Sequence, residues 1–575
     1  MTYSSLRLSL YDYVIFVGIL LFSSLIGIYY GCFGTKQATL KEYLLAGKNM
    51  KILPIAVSVA VSHISGTMLI GTVADVYRYG GSVWLFVGSF IFMGFLATLV
   101  YLPVFFKLQM ANMYEYLEKR FDKKIKMFAL ILYLLCEIFM FPVLAYTPSL
   151  TFATGSGLNP SLCAFFLCIV CVFYTSIGGL KTVVWTDFLQ FGIIMVSFIT
   201  LYIIGVQTSG GFSSVWNTAA EGQRLDIFNF QLDLTARDSF WGYIIGSGSI
   251  STSLIIVHQT GLQKFLSLSN YKDCVWSVIY TVISMSLVHT FSIFIGLVAY
   301  SKYKDCDPLT SHLISKHDQL FPYLVTEIGG NLPGVSGLFI AAICSAALSS
   351  MSSNLNALSG VLYKDVVCEF LKKTPSEKKA TNILKLMVLV IGVLCSCLVF
   401  AMEGMGEVFS VSLTIWGITQ GPVLGVFTLG VLFPKANHQG ALYGMLVGCV
   451  TVSGIAIPTK YYQMKGLFSS PTKPLSTSGC SFFNVSVYTN STTLNQFQPN
   501  VIFKTSFYYY TIIGATVTVI VGLVISFFNK SNSSADKDFL SPVVYSCLQK
   551  ESGENQEYPN AETPLDILHK QQDNF

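Results

Sequence analysis

Three stretches of the 575-residue chain gather hydroxyls and small residues inside apolar surroundings. They are Val59-Ala-Val-Ser-His-Ile-Ser-Gly-Thr, Ile245-Gly-Ser-Gly-Ser-Ile-Ser-Thr-Ser and Ser345-Ala-Ala-Leu-Ser-Ser-Met-Ser-Ser-Asn-Leu-Asn-Ala-Leu-Ser. Oxygen atoms are the preferred ligands of hard cations. A helix that breaks frees backbone carbonyls, and a neighbouring serine-rich helix supplies hydroxyls. Together they can hold Na⁺ without a carboxylate. The first two stretches read as locally weak or broken helix, because glycine, β-branched and hydroxyl residues are poor helix formers. Packing is the competing reading for any single serine, since small residues let membrane helices approach and Ser bonds the carbonyl one turn back.

The surroundings are membrane spans. The chain is 53% hydrophobic and only 11% charged, with mean hydropathy +0.60, against about 25% charged in soluble domains. About thirteen apolar runs approach the roughly 20 residues that cross a bilayer as a helix. Their ranges are 13–30, 53–73, 83–106, 127–145, 162–177, 188–206, 240–257, 275–300, 335–358, 384–402, 408–432, 441–457 and 508–528. The first run is too long for a signal peptide, lacks a basic flank and leads straight into the next span. The net charge of +5 is too small and dispersed to suggest nucleic acid. The polar tail, 529–575, reads as disordered and cytoplasmic. Residues 1–528 read as one transmembrane domain.

Lys and Arg collect in short cytoplasmic loops. They cluster after the first, third and ninth runs, as at Lys119, Arg120, Lys123, Lys124 and Lys126. That predicts an external N-terminus and a cytoplasmic C-terminus. Sequons at Asn484 and Asn490 then fall outside, while those at Asn529 and Asn532 fall inside as chance matches. Cys306 and Cys480 lie in predicted external loops, where oxidation is possible. The Cys168-Ile-Val-Cys171 spacing sits in an apolar helix and reads as packing. There is no phosphate-binding loop and no evident hydrolase triad, which argues against a pump or an enzyme.

The two interrupted segments lie five runs apart. That spacing points to an inverted-repeat transporter, with repeats over about 53–206 and 240–432.

Four further stretches carry a family resemblance: Tyr77-Arg-Tyr-Gly, Met113-Tyr-Glu-Tyr-Leu-Glu-Lys-Arg-Phe, Gly178-Gly-Leu-Lys-Thr-Val-Val-Trp-Thr-Asp, and Ser345-Ala-Ala-Leu-Ser-Ser with Asn356 and Asp365. With them the chain resembles the sodium/solute symporter family from Tyr11 to about Phe528. Cys306-Asp-Pro-Leu, Asp318-Gln-Leu-Phe-Pro-Tyr and Pro333-Gly-Val-Ser-Gly-Leu-Phe are most similar to its multivitamin, monocarboxylate and iodide branch. The resemblance implies an all-α polytopic fold with an inverted five-helix repeat (LeuT-like) core, in the plasma membrane. It implies a sodium site formed by the carbonyls of Val61, Ile64 and Ala346 and the hydroxyls of Ser349 and Ser350. Asp187 would sit on the sodium exit route, its alternative role being to cap a helix N-terminus. Thr67, Met68, His258, Gln259 and Gln420 would border the substrate cavity.

The chain also departs from the family. His258-Gln-Thr-Gly-Leu-Gln-Lys264 stands where many relatives have Asn-Gln followed by Val-Gln-Arg. Asn354 stands where close relatives carry a small residue, and Gln420 replaces a Gly. His63, His258 and His289 are membrane-depth histidines, functional or paired by default, and for His258 snorkelling to the interface is the alternative. The expected function is sodium-coupled symport of a small organic solute or anion: a monocarboxylate, a biotin- or pantothenate-type vitamin, or an iodide-like anion. A sodium or solute sensor, or an ion channel on the same scaffold, are the alternatives. Na⁺, the solute and the lipid bilayer are the expected partners.

The orientation has a direct check. A glycosidase mobility shift is expected to vanish in Asn484→Gln/Asn490→Gln and to survive changing Asn529 and Asn532. The opposite pattern inverts the topology.

Overall fold

The structure, a computed structural model, describes residues 8–30, 39–110, 112–330, 332–371, 375–402, 408–467, 470–480, 499–529 and 536–545. Asn484, Asn490 and residues 530–535 and 546–575 of the expected tail lie outside these. Residues 536–545, expected to be disordered, instead pack on the helices, with Leu540 buried, the Phe539 carbonyl accepting from Tyr116 at 3.0 Å and the Ser541 amide donating to the Val431 carbonyl at 3.0 Å. Among the described residues every regular element is helical. Ten helices among the described residues are long and apolar enough to cross a bilayer, or eleven if the bent pair Ile52–His63 with Gly66–Tyr79, at 63°, counts as one span. The two remaining differences from the expected runs are informative. The 162–177 and 188–206 runs lie within one hydrogen-bonded stretch, Pro160–Thr208, in which the chain turns at Gly179 (φ 55, ψ −165). A straight helix of that length would exceed 70 Å at about 1.5 Å per residue, over twice the bilayer core. The 240–257 run holds a helix that ends at Ile255, and a shorter helix follows after a break.

The protein is apolar on its perimeter, as a bilayer requires, and its apolar core also holds buried polar and charged side chains. Leu21, Phe95, Phe166, Leu394 and Val450 are exposed, while Asp187, Glu137 and Lys264 are buried. At the centre runs the serine-rich helix, Val335–Leu362, in which only Val335, Leu338, Asn354 and Leu362 escape full burial. Small residues permit this crowding. A Cβ on Gly337 would stand 2.3 Å from the Asp12 carbonyl oxygen of the first helix. Asp12 also accepts the Gly337 amide at 2.8 Å, while its other oxygen and Ser9 form a capping box on Leu10–Ile28.

The first break was expected in Val59–Thr67, and its local chemistry is visible there. Ser65 caps the second half of the bent pair, accepting the Met68 amide at 3.2 Å. Gly66 lets the chain pass Ile343 of the serine-rich helix, whose carbonyl oxygen would lie 3.3 Å from a Cβ.

The second break is displaced from the expected one. Ile245–Ser253 does not break. It forms part of a π-helical turn, Gly242–Ser247, and a helix, Gly248–Ile255. The chain breaks instead at residues 256–258 and resumes as Gln259–Phe265, with His258 extended (φ −144, ψ 139). The small residues of the first part serve packing: Cβ atoms on Gly246 and Gly248 would lie 2.7 Å from the Tyr508 carbonyl oxygen and 2.5 Å from the Phe92 ring. Two amides, of Ile256 and Val257, share the Thr252 carbonyl at the helix end.

Cys306 and Cys480 form a disulfide that ties the two loops together. Cys168 and Cys171 remain free in their helix. Arg120 donates to the carbonyls of Gly430, Phe433 and Ala436, and so caps the end of Val408–Leu432.

Gly179→Ala should lower stability by about 1–3 kcal/mol, the cost of a glycine-only backbone conformation. The added Cβ would also stand 2.9 Å from Tyr43. Gly192, with nothing within 4 Å of its Cβ position, is the control. Thermal unfolding of the detergent-solubilised variants checks this: Gly179→Ala is expected to melt earlier, and Gly192→Ala with the wild type.

Candidate functional site

The two broken segments and the serine-rich helix converge on one cavity of about 130 Å³. Thr67 and Met68 reach it from just past the first break, and His258 from the second. Ser350 and Asn354 reach it from the serine-rich helix, and Trp416 from Val408–Leu432. No Lys or Arg borders it among the described residues. Of the five expected cavity residues, Thr67, Met68 and His258 line it. Gln259 and Gln420 do not: Gln259 is buried accepting the Met113 amide at 2.9 Å, and Gln420 is buried elsewhere in its helix. Gln259 opens the new helix after the extended His258, and its side chain is engaged by the Met113 amide instead.

His258 is not at the interface. It is buried, with Nε2 3.1 Å from Glu137 Oε1 and its ring 5.3 Å from both Tyr133 and Trp416. Snorkelling is therefore excluded. Glu137 was not singled out in the sequence, although a lone carboxylate in the run Leu134-Leu-Cys-Glu-Ile-Phe is the signal that finds it. His63 and His289 also border the cavity, each bonded to a backbone carbonyl: Val59 at 2.7 Å and Val83 at 3.1 Å. Asn354 accepts from Thr260 at 3.0 Å and so links the serine-rich helix to the segment after the second break.

Beside the cavity lies a charged cluster. Asp187 is fully buried and ion-paired to Lys264 at 3.0 Å. It lies about two helical turns beyond the Gly179 turn, so the capping alternative falls. Its Oδ2 also accepts from Ser58 at 2.5 Å and Ser62 at 3.2 Å, and its Oδ1 from Ser349 at 2.6 Å. Removing one partner of such a buried pair costs about 3–5 kcal/mol, because the other charge is stranded.

The five residues expected to hold sodium are all in this neighbourhood. Ile64 occupies the first break (φ −87, ψ 85). Val61 lies in the helix's last turn, whose carbonyls lose their forward amide partners. Ser350 donates to the Ala346 carbonyl at 3.1 Å and faces the cavity, whereas Ser349 faces Asp187. Adjacent residues on one helix thus address the cavity and the charged cluster separately.

A model of the sodium:solute symporter family matches residues 43–448. The chain belongs to that family. It is 35% identical over 533 residues to sodium-coupled monocarboxylate transporter 2 of Mus musculus, covering 92% of this chain and 85% of the relative. It is 32% identical over 526 residues to the sodium-dependent multivitamin transporter of Oryctolagus cuniculus, covering 90% and 82%. The fold matches a Na⁺-coupled sialic acid symporter in its substrate-bound outward-open state, with TM-score 0.73 and 22% identity over 92% of this chain and 99% of that one. This symporter is thus a multi-pass membrane protein that couples solute movement to sodium.

His258→Gln removes the imidazole that meets Glu137 and also changes the cavity wall. It should raise the solute's half-saturation roughly five- to hundred-fold, as for one lost buried polar partner. Gln420→Ala, away from the cavity, should leave it within about twofold. Equal effects of the two substitutions on uptake would remove His258 from the solute site.

Proposed function

We propose that this symporter moves a small monocarboxylate or a related organic anion with Na⁺ across the plasma membrane, by alternating access. The observation that carries the reading is the position of Ser350, which meets Ala346 on one side and borders the cavity on the other. A sodium ion held by Val61, Ile64, Ala346, Ser349 and Ser350 would stand against the solute. With no Lys or Arg bordering the cavity among the described residues, that ion is the charge a carboxylate would meet. The relatives named for monocarboxylates and vitamins support the anion class. Asp187, one hydroxyl removed through Ser349, is suited to receive the ion as it leaves.

The driving force depends on the net charge that moves. One inward charge at about −60 mV supplies about 1.4 kcal/mol, and a tenfold sodium gradient roughly another 1.4. A monoanion with one sodium ion draws on the second alone. An external N-terminus and a cytoplasmic C-terminus complete the reading. The Cys306–Cys480 disulfide supports it, because disulfides persist in oxidising compartments. Residues 53–206 and 240–432 would form the two repeats.

Labelled uptake in sodium and in choline tests the substrate class, with short monocarboxylates, biotin, pantothenate, iodide, glucose and inositol. Sodium-dependent carboxylate uptake is expected. Uptake of glucose alone refutes the anion class.

The ion site is tested by sodium titration at matched surface expression. Ser349→Ala and Ser350→Ala should each raise the half-saturating sodium concentration roughly five- to hundred-fold, from a lost ligand worth about 1–3 kcal/mol. Ser352 donates to the Ser349 carbonyl at 3.1 Å and does not line the cavity, so Ser352→Ala should leave the curve in place. Coincident curves for all three reject the assignment.

A further inference from the structure

Lys264 ends in surroundings that would suit a free cation. Its side chain leaves the short helix after the second break and meets oxygens from three other segments. Nζ lies 3.0 Å from Asp187 Oδ2, 2.8 Å from Ser353 Oγ and 3.1 Å from the Ser58 carbonyl oxygen, and it also donates to Ser62 Oγ. Ser62 in turn is 2.8 Å from Ser353 Oγ and 3.4 Å from Ser349 Oγ. The lysine is 1% exposed. A carboxylate, two hydroxyls and a carbonyl make an all-oxygen shell of the kind that hard cations take. A lysine ammonium has three donors and no acceptor, and here all of its partners are acceptors.

We infer that the Lys264 ammonium fills a second cation pocket next to the proposed sodium site, and that it excludes a second sodium ion from Asp187. The inference rests on the sodium-symport reading and deepens it. Three facts support exclusion over a merely structural pairing. The pocket's oxygens belong to three segments other than the lysine's own, so the ammonium is held by tertiary placement and not by its own helix. Asp187 offers one negative charge, and two cations on one carboxylate repel strongly where water is absent. Ser349, a proposed sodium ligand, bonds the other oxygen of the same carboxylate, so the pocket and the proposed sodium site share a wall. A tethered ammonium is present whatever the sodium concentration outside. It therefore acts as a standing competitor, and an uncharged side chain of similar length would leave the pocket to Na⁺.

The test counts bound sodium. Full-length wild type, Lys264→Met and Lys264→Met/Asp187→Asn are purified in nanodiscs. Radioactive sodium binding at saturation is measured for each, with thermal unfolding in NaCl and in choline chloride. Lys264→Met should bind roughly twice the sodium of the wild type, with a larger sodium-dependent rise in melting temperature, because the ion now balances Asp187. The double variant, lacking the charge, should return to the wild-type amount. Equal binding by folded wild type and Lys264→Met overturns the inference.

If Lys264→Met folds only in sodium, the ion has replaced the ammonium and the inference stands. If it fails to fold in either salt while the double variant folds, the ammonium is a structural partner only and the inference falls. Sodium bound by Lys264→Met but not by the wild type would keep this inference and reject the sodium site proposed above. No excess in Lys264→Met, with normal wild-type binding, does the reverse.

Discussion

Asp187 and Lys264 are a full charge pair in the interior of a protein that a bilayer surrounds. Isolated, either charge would cost several kcal/mol even after relaxation, and no bulk water reaches them. The pair is stable only because four segments meet on it: the first half of the bent span through Ser58 and Ser62, the long helix through Asp187, the serine-rich helix through Ser349 and Ser353, and the helix after the second break through Lys264. Each segment must hold its position to within a hydrogen bond. The breaks, the glycine contacts and the capped helix ends are the means by which those positions are reached.

The same geometry separates two environments on one helix. Ser349 and Ser350 are neighbours in sequence, and about 100° of helical rotation turns one to the carboxylate and the other to the cavity. A change at the cavity wall and a change in the charged cluster are therefore changes of the same helix turn. Asn354, one turn on, bonds Thr260 beyond the second break, and Lys264 lies four residues after that. The cavity, the charged cluster and both bends thus share a short path of contacts. The proposed alternating access would use such a path, because the energy of ion binding must be felt by the segments that move.

A second buried pair repeats the theme at lower stakes. Glu137 and His258 meet at the cavity wall, flanked by Tyr133 and Trp416. The chain's departure from its family at His258 is thereby matched by a partner of its own. The departure at Asn354 is matched likewise by Thr260, whereas the structure offers no comparable account of Gln420.

The amino-acid sequence by itself marked most of the helices long and apolar enough to cross a bilayer. Backbone groups in hydrocarbon must bond within their own segment, so apolar length alone marks a span. Local chemistry also marked the first break, since Ser65 can cap a new helix and Gly66 weakens the old one whatever surrounds them. The tertiary structure alone decided the rest. Glycine and serine in Ile245–Ser253 read as helix breakers, and only the closeness of Tyr508 and Phe92 shows them to be packing residues. Asp187 read as a cap or a site, and only Lys264, 77 positions away in sequence, makes it the centre of a cluster. Cys306 and Cys480 stand 174 positions apart. Such pairs carry no periodicity and no local propensity. They become visible only when packing brings the segments together.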